Sequence, residues 1–232
     1  MKSLKNMTVL FSFLLVINAP LSWAQTPLSV SELKQEIVTL AKSYEGQADP
    51  DGTKTKNLES LISQLLAQTP ALTMRQKAQM AVGAWQQIWG PYSYNDNHQA
   101  GPALQADSIY QVIADGGTYT NVGIFDFFGL GIVGILKGEY QIESDKINVK
   151  FVKNGILIGD IPEGKTLADL PALHDEHKLF VIDFPSFLPP VGIKGELHET
   201  YVDEDLRITY GVQKGQPGQS LYILKRVKTN EN

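Results

Sequence analysis

From residue 107 to residue 227 the chain repeats one pattern: short runs rich in Val, Ile, Thr, Tyr and Phe, each closed by Gly, Asp, Asn or Pro. Such runs read as strands and the punctuating residues as turns. They fall at residues 107–114, 118–128, 132–144, 146–151, 179–184, 193–202, 205–210 and 220–227, and residues 84–89, stopped by Gly90-Pro91, add a ninth. Asp115-Gly116-Gly117 is a strong hairpin signal. No helix-spaced stretch separates the runs, so antiparallel pairing follows, and a sandwich or a closed barrel is the usual result.

The chain ahead of residue 83 has the other periodicity. Val30, Leu33, Ile37, Leu40 and Ala41 share one face of a helix over residues 30–44, with Ser29 or Ser31 as its N-cap. Residues 46–56 have loop composition. Leu58, Leu61, Ile62, Leu65 and Leu66 predict a second helix over residues 57–68, ended by Pro70, and residues 73–80 form a short third one. The expected class is therefore mainly β (α+β), with two or three N-terminal helices over residues 25–82 and an antiparallel β-barrel over residues 83–228.

The first 24 residues have the order of a secretory signal peptide. Lys2 and Lys5 precede the apolar run Val9 to Ile17, and Ser22-Trp23-Ala24 places small residues where a signal peptidase reads. Nine apolar residues are too few to cross a hydrocarbon core of about 30 Å as a helix. The expectation is an exported protein, periplasmic or extracellular, with Gln25 as its mature start. Removing 24 residues from 232 leaves 208, enough for one domain with a core of its own. It also removes two lysines, taking the net charge from −5 to −7, which disfavours nucleic acid. The chain has no cysteine, which excludes thiol catalysis, disulfides and lipidation at the cleavage site.

Three stretches resemble the plastid lipid-associated protein (fibrillin) family. They are Gly83-Ala84-Trp85-Gln86-Gln87-Ile88-Trp89, the strand pair from Tyr110 through Phe125, and Tyr201-Val202-Asp203-Glu204-Asp205-Leu206-Arg207-Ile208 with its following Ser220-Leu221-Tyr222-Ile223-Leu224-Lys225. The last is the most specific, and the similarity spans residues 57–226. The chain departs from the family in having Tyr210 where an arginine is common, a longer turn before the last strand, and a secretory leader in place of a plastid transit peptide. Plastoglobule association is therefore not carried over. The resemblance implies a lipocalin-like barrel that binds a lipid or another hydrophobic small molecule.

A barrel that carries a ligand needs apolar inward positions around a cavity. Trp85, Trp89, Phe125, Tyr140, Phe151, Phe180 and Tyr201 lie on predicted strands and are candidates to line it, with ordinary core packing as the alternative for each. Arg207 alternates away from Leu206 and Ile208. It either enters the cavity to hold a carboxylate or phosphate head group, or pairs with Asp203 or Asp205; the neighbouring acids favour the pairing. Residues 122–136 and 184–191 are the most apolar stretches of the expected mature chain. Phe127, Phe128, Phe187 and Leu188 would form a rim that touches a membrane or a partner, unless these stretches pack against each other or under the helices.

Other signals are weaker. Gly129-Leu130-Gly131-Ile132-Val133-Gly134 fits G-x-G-x-x-G, but the β-branched residues that follow deny it the helix a dinucleotide site requires. His174-Asp175-Glu176-His177 offers two histidines with a neighbouring carboxylate but no evident third histidine nearby, although folding could bring His198 close; it reads as a solvated loop and no metal is assigned. No G-x-S-x-G elbow, Walker loop or H-E-x-x-H is present. The expected activity is binding without covalent chemistry or cofactor. The alternative is an interaction or structural protein whose barrel is filled and whose apolar rim docks.

Overall fold

The computed structural model describes residues 27–90, 108–127, 129–176, 181–183, 191–213 and 218–228. Helix α1 (Val30–Ser43) starts at a capping box. The Glu32 amide donates to Ser29 Oγ, and the Ser29 amide donates back to the Glu32 carboxylate. Helix α2 (Thr53–Ala67) begins earlier than its apolar spacing suggests. Asp49 accepts from the amides of Lys54 and Thr55, and Asp51 from the amide of Thr53, so side chains of the preceding loop satisfy the first-turn donors. Helix α3 (Met74–Met80) opens on a second capping box, between Thr73 and Gln76.

The strands are β1 (Gly83–Trp89), β2 (Ser108–Ala114), β3 (Thr118–Phe127), β4 (Leu130–Ile142), β5 (Ile147–Ile158), β6 (Val181–Asp183), β7 (Lys194–Val202), β8 (Leu206–Gln213) and β9 (Ser220–Arg226). Every pairing is antiparallel. The order β4-β3-β2-β1-β9-β8-β7-β5 closes on itself because β4 also pairs with β5. The result is a closed eight-stranded barrel, and β6 is an appendage on residues 155–157 of β5. Closure removes the exposed edges that an open sheet of this length would carry.

Helices α1 and α2 cover one outer wall. Leu33, Ile37 and Ala41 of α1 and Leu58, Ile62 and Leu65 of α2 pack with Trp89, Leu206, Ile208, Leu221 and Ile223. Another outer patch, built from Val112, Val122, Val133, Ile135 and Leu157, is covered by Leu167 and Leu170. Leu167 belongs to a single 3-10 turn (Leu167–Asp169), and Leu170 opens helix α4 (Leu170–Asp175). This helical stretch is not expected from the sequence: residues 174–177 read as a solvated loop, whereas Pro171 stands in the first turn of α4.

Helix α3 sits at the barrel end that carries the short turns β2–β3, β4–β5 and β7–β8. The long connections, residues 90–107 and 159–193, leave from the opposite end. Within β3–β4 the G-x-G-x-x-G letters form a hairpin: Gly129 takes a φ of 81° at the turn, and strand rather than helix follows.

Candidate functional site: the barrel lumen

Because side chains alternate across a strand, antiparallel partners share a face, and the register sorts the inward residues into rows. Nearest α3 runs Ile113–Tyr119–Gly138–Phe151 across β2 to β5. The next row is Gln111–Asn121–Leu136–Asn154, and beyond it lies Ile109–Gly123–Gly134–Ile156. A polar row thus separates two apolar ones.

The α3 end is filled. Trp85, Ile113, Tyr119, Val149, Leu197 and Leu224 pack with Ala78 and Ala81 at the C-terminal end of α3. The crevice between Ala78, Ala81, Ile113, Tyr119, Tyr140, Ile147 and Leu197 has no room for a water molecule. Glycine lets aromatic rings lie against the wall: a Cβ on Gly138 would come within 3.2 Å of Phe151, whose ring is 6.2 Å from that of Tyr119. Lys77 fixes the plug by donating to the carbonyls of Glu199 and Thr200, at 2.7 and 2.9 Å, where β7 is bulged. Arg226 stacks 4.0 Å over Trp85 and donates to the carbonyls of Met80, Val82 and Glu204. Burial lowers the Lys77 pKa, against the opposing pull of Glu199.

At the polar row the lumen holds an ion pair. Arg207 is fully buried and Glu199 is 2% exposed. Arg207 Nε donates to both Glu199 oxygens at 3.2 and 3.0 Å, Nη2 donates to Oε1 at 2.5 Å, and Nη1 donates to Gln111 Oε1 at 2.6 Å. Burial opposes the guanidinium charge, yet the Glu199 carboxylate outweighs it and the Arg207 pKa rises. Burial also pushes the Tyr119 phenol far above its ordinary value, against the pull of Arg207. Thr209 Oγ1 on the cross-strand neighbour of Glu199, Asn121 Oδ1 on that of Gln111, and Asn154 Oδ1 two strands farther along the polar row are buried with no hydrogen-bond partner among the described residues.

Farther from α3 the inward side chains Ile109, Phe125, Ile132, Leu136 and Ile156 are only half-buried. Phe125 lies over Gly134, where a Cβ would come 3.2 Å from the ring. Leu130 and Ile158, on neighbouring strands at this end, are exposed.

Several expectations change. Trp85, Phe125, Tyr140 and Phe151 face the lumen, but Trp89 and Tyr201 face the helices. The cause is a pair of register shifts, between Gln87 and Trp89 in β1 and between Glu199 and Tyr201 in β7, each of which inverts the alternation beyond it. Arg207 pairs with neither Asp203 nor Asp205. Asp203 instead accepts from Lys34 at 2.5 Å, from Tyr201 Oη at 2.6 Å, and from the amides of Asp205 and Leu206 at 2.9 Å each. His174 is a fully buried residue of α4 rather than part of a solvated loop, and Asp175 pairs with Lys137. Phe128, Phe180, Phe187, Leu188 and His177 lie outside the described residues, as does the side chain of Phe127. No group of three or more potential metal ligands assembles among the described residues.

Glu199, Gln111, Asn121, Asn154 and Thr209 were not anticipated as site residues. One signal was available: Glu199 shares its alternation face with Leu197, and a carboxylate on a strand's apolar face needs a buried partner.

The fold and lumen define a closed antiparallel barrel with one plugged end, a polar floor and helices over one outer wall. The PAP_fibrillin family model matches residues 31–224, and the chain belongs to that family. No match is found among curated proteins.

Proposed function

We propose that this protein is an exported carrier that holds a lipid or another hydrophobic small molecule in its barrel, without covalent chemistry. Family membership and the closed barrel support association with such molecules. The observation that carries the reading is the asymmetry of the lumen. Its α3 half is packed, whereas Ile109, Phe125, Ile132 and Ile156 in the other half keep partial exposure, as do Gly123 and Gly134. Apolar surface left unburied inside a barrel is where a hydrophobic ligand gains affinity. Export rests on the N-terminal pattern of Lys2, Lys5 and the apolar run before Gln25.

A second reading, a docking module with a filled barrel, draws on the closely packed crevice beneath α3 and on the exposed Leu130 and Ile158. One experiment separates the two. Protein secreted from its native host is extracted with organic solvent, and the extract is identified by mass spectrometry. One apolar species in near-stoichiometric amount, absent from a control protein, is the expected result. An empty extract, with no uptake of a neutral fluorescent apolar dye, would transfer the assignment to the docking module.

A further inference from the structure

The polar row of the lumen points to the chemistry of the ligand's head group. We infer that the barrel selects a neutral, hydroxyl-bearing amphiphile, with its hydroxyl on the floor formed by Thr209, Asn121 and Asn154 and its apolar part against Phe125 and Ile156. This rests on the carrier reading above and specifies its ligand.

The argument begins with Arg207, the residue that would ordinarily recruit an anion. Its guanidinium is committed: Nε and Nη2 donate to Glu199, and Nη1 donates to Gln111. The pair is formally neutral and both members are buried. A carboxylate or phosphate arriving beside it would be a third buried charge with no counter-ion, which a low-dielectric site penalises heavily. The floor therefore disfavours anions despite containing an arginine.

Three buried atoms on inward-facing residues have no hydrogen-bond partner among the described residues, and two of them, Thr209 Oγ1 and Asn121 Oδ1, belong to cross-strand neighbours of the residues that hold Arg207. Thr209 is fully buried, and its cross-strand neighbour on β7 is Glu199. Asn121 is the cross-strand neighbour of Gln111, and Asn154 lies in the same row, separated from Asn121 by Leu136. Both residues that hold Arg207 thus stand beside an unpartnered polar side chain. Asn121 and Asn154 present carbonyl oxygens that accept, and Thr209 presents a hydroxyl that donates and accepts. A ligand hydroxyl does both, and it brings no charge. The row on the side away from α3 is Ile109–Gly123–Gly134–Ile156, with the Phe125 ring over Gly134, so a molecule with its hydroxyl on the floor lays its apolar part along hydrocarbon.

The test is displacement of N-phenyl-1-naphthylamine, a neutral apolar fluorophore, from the purified full-length chain by dodecanol, dodecane and dodecanoate at neutral pH. Dodecanol is expected to bind about tenfold more tightly than dodecane, the worth of one good buried hydrogen bond. Thr209→Val and Asn121→Leu should each erase most of that advantage and leave dodecane unchanged. Thr209→Val is nearly isosteric and removes an unpartnered hydroxyl, so it folds at least as well as the parent. Glu199→Gln frees the guanidinium charge and should raise dodecanoate affinity relative to dodecanol; circular dichroism checks its fold.

Dodecanoate binding the parent as tightly as dodecanol would overturn the inference and leave the carrier reading standing. So would a dodecanol advantage that survives both floor substitutions. Failure of the fluorophore and all three competitors to bind would overturn the carrier reading, and this inference with it.

Discussion

Glu199→Leu should be the most damaging single substitution in the barrel wall. Arg207 is fully buried, and among the described residues three of its four side-chain hydrogen bonds end on Glu199. Removing the carboxylate leaves a guanidinium in the lumen with only Gln111 to bind among the described residues, and stranding one member of a buried pair costs about 3–5 kcal/mol. For a chain of this length that corresponds to a fall in Tm of roughly 6–20 °C. Urea unfolding followed by circular dichroism would report the same loss as a lowered midpoint at unchanged slope. The matched control replaces the whole network, as Glu199→Leu, Gln111→Leu and Arg207→Met together. Exchanging a buried pair for apolar residues of similar volume is often neutral, so the triple variant should recover most of the stability. A loss below about 1 kcal/mol for Glu199→Leu would mean that Arg207 reaches water, and the sealed floor would not exist. A triple variant as unstable as the single one would show that packing, not stranded charge, sets the cost.

Acid should weaken the attachment of α1 through Asp203. Burial raises this carboxyl's pKa, but Lys34, Tyr201 and two backbone amides outweigh it, so the net shift is downward and its stabilisation is lost as the pH falls below about 4. Lys34→Met should flatten that acid limb in an unfolding titration, and an unaltered limb would refute the assignment. Ligand uptake should change the fluorescence of Trp85 in the lumen but not of Trp89 beneath the helices, so Trp85→Phe should abolish the response and Trp89→Phe should preserve it. If apolar residues at the rim contact membranes, Phe187→Ser with Leu188→Ser should abolish vesicle binding in a flotation assay while circular dichroism is unchanged; retained binding would sink the rim.

Elements were more legible in the sequence than faces. Helix α1 was readable because Leu33, Ile37 and Ala41 repeat at helical spacing behind a capping serine, and each strand runs between turn residues. The start of α2 was hidden because Asp49 and Asp51, which look like loop punctuation, satisfy its first amides from the preceding loop. Helix α4 was missed although Thr166-x-x-Asp169 and Pro171 are start signals, because its six residues are too few to show an apolar period. Inward faces were legible as far as the first register shift. From Trp85, alternation assigns Trp89 to the lumen, and from Leu197 it assigns Tyr201 there too. One extra residue in each strand reverses both.

Those two shifts connect the signature segment to the site. The shift in β7 turns Tyr201 outward, where its hydroxyl reaches Asp203 and, through the same carboxylate, Lys34 of α1. It also leaves the carbonyls of Glu199 and Thr200 to Lys77 of α3. On β8, Leu206 and Ile208 pack under the helices while Arg207, between them, enters the lumen. The segment from Glu199 to Ile208 therefore performs three tasks within ten residues: it anchors the helical cover, anchors the plug and sets the charged floor. Spacing alone favours pairing Arg207 with its near neighbours, because Asp203 and Asp205 are close in sequence. The folded chain pairs it with Glu199 instead, since only inward positions share its environment and a carboxylate left on the outer wall cannot reach it. Whether the arginine can receive an anion is consequently decided at Glu199, a residue that lies outside the acidic run.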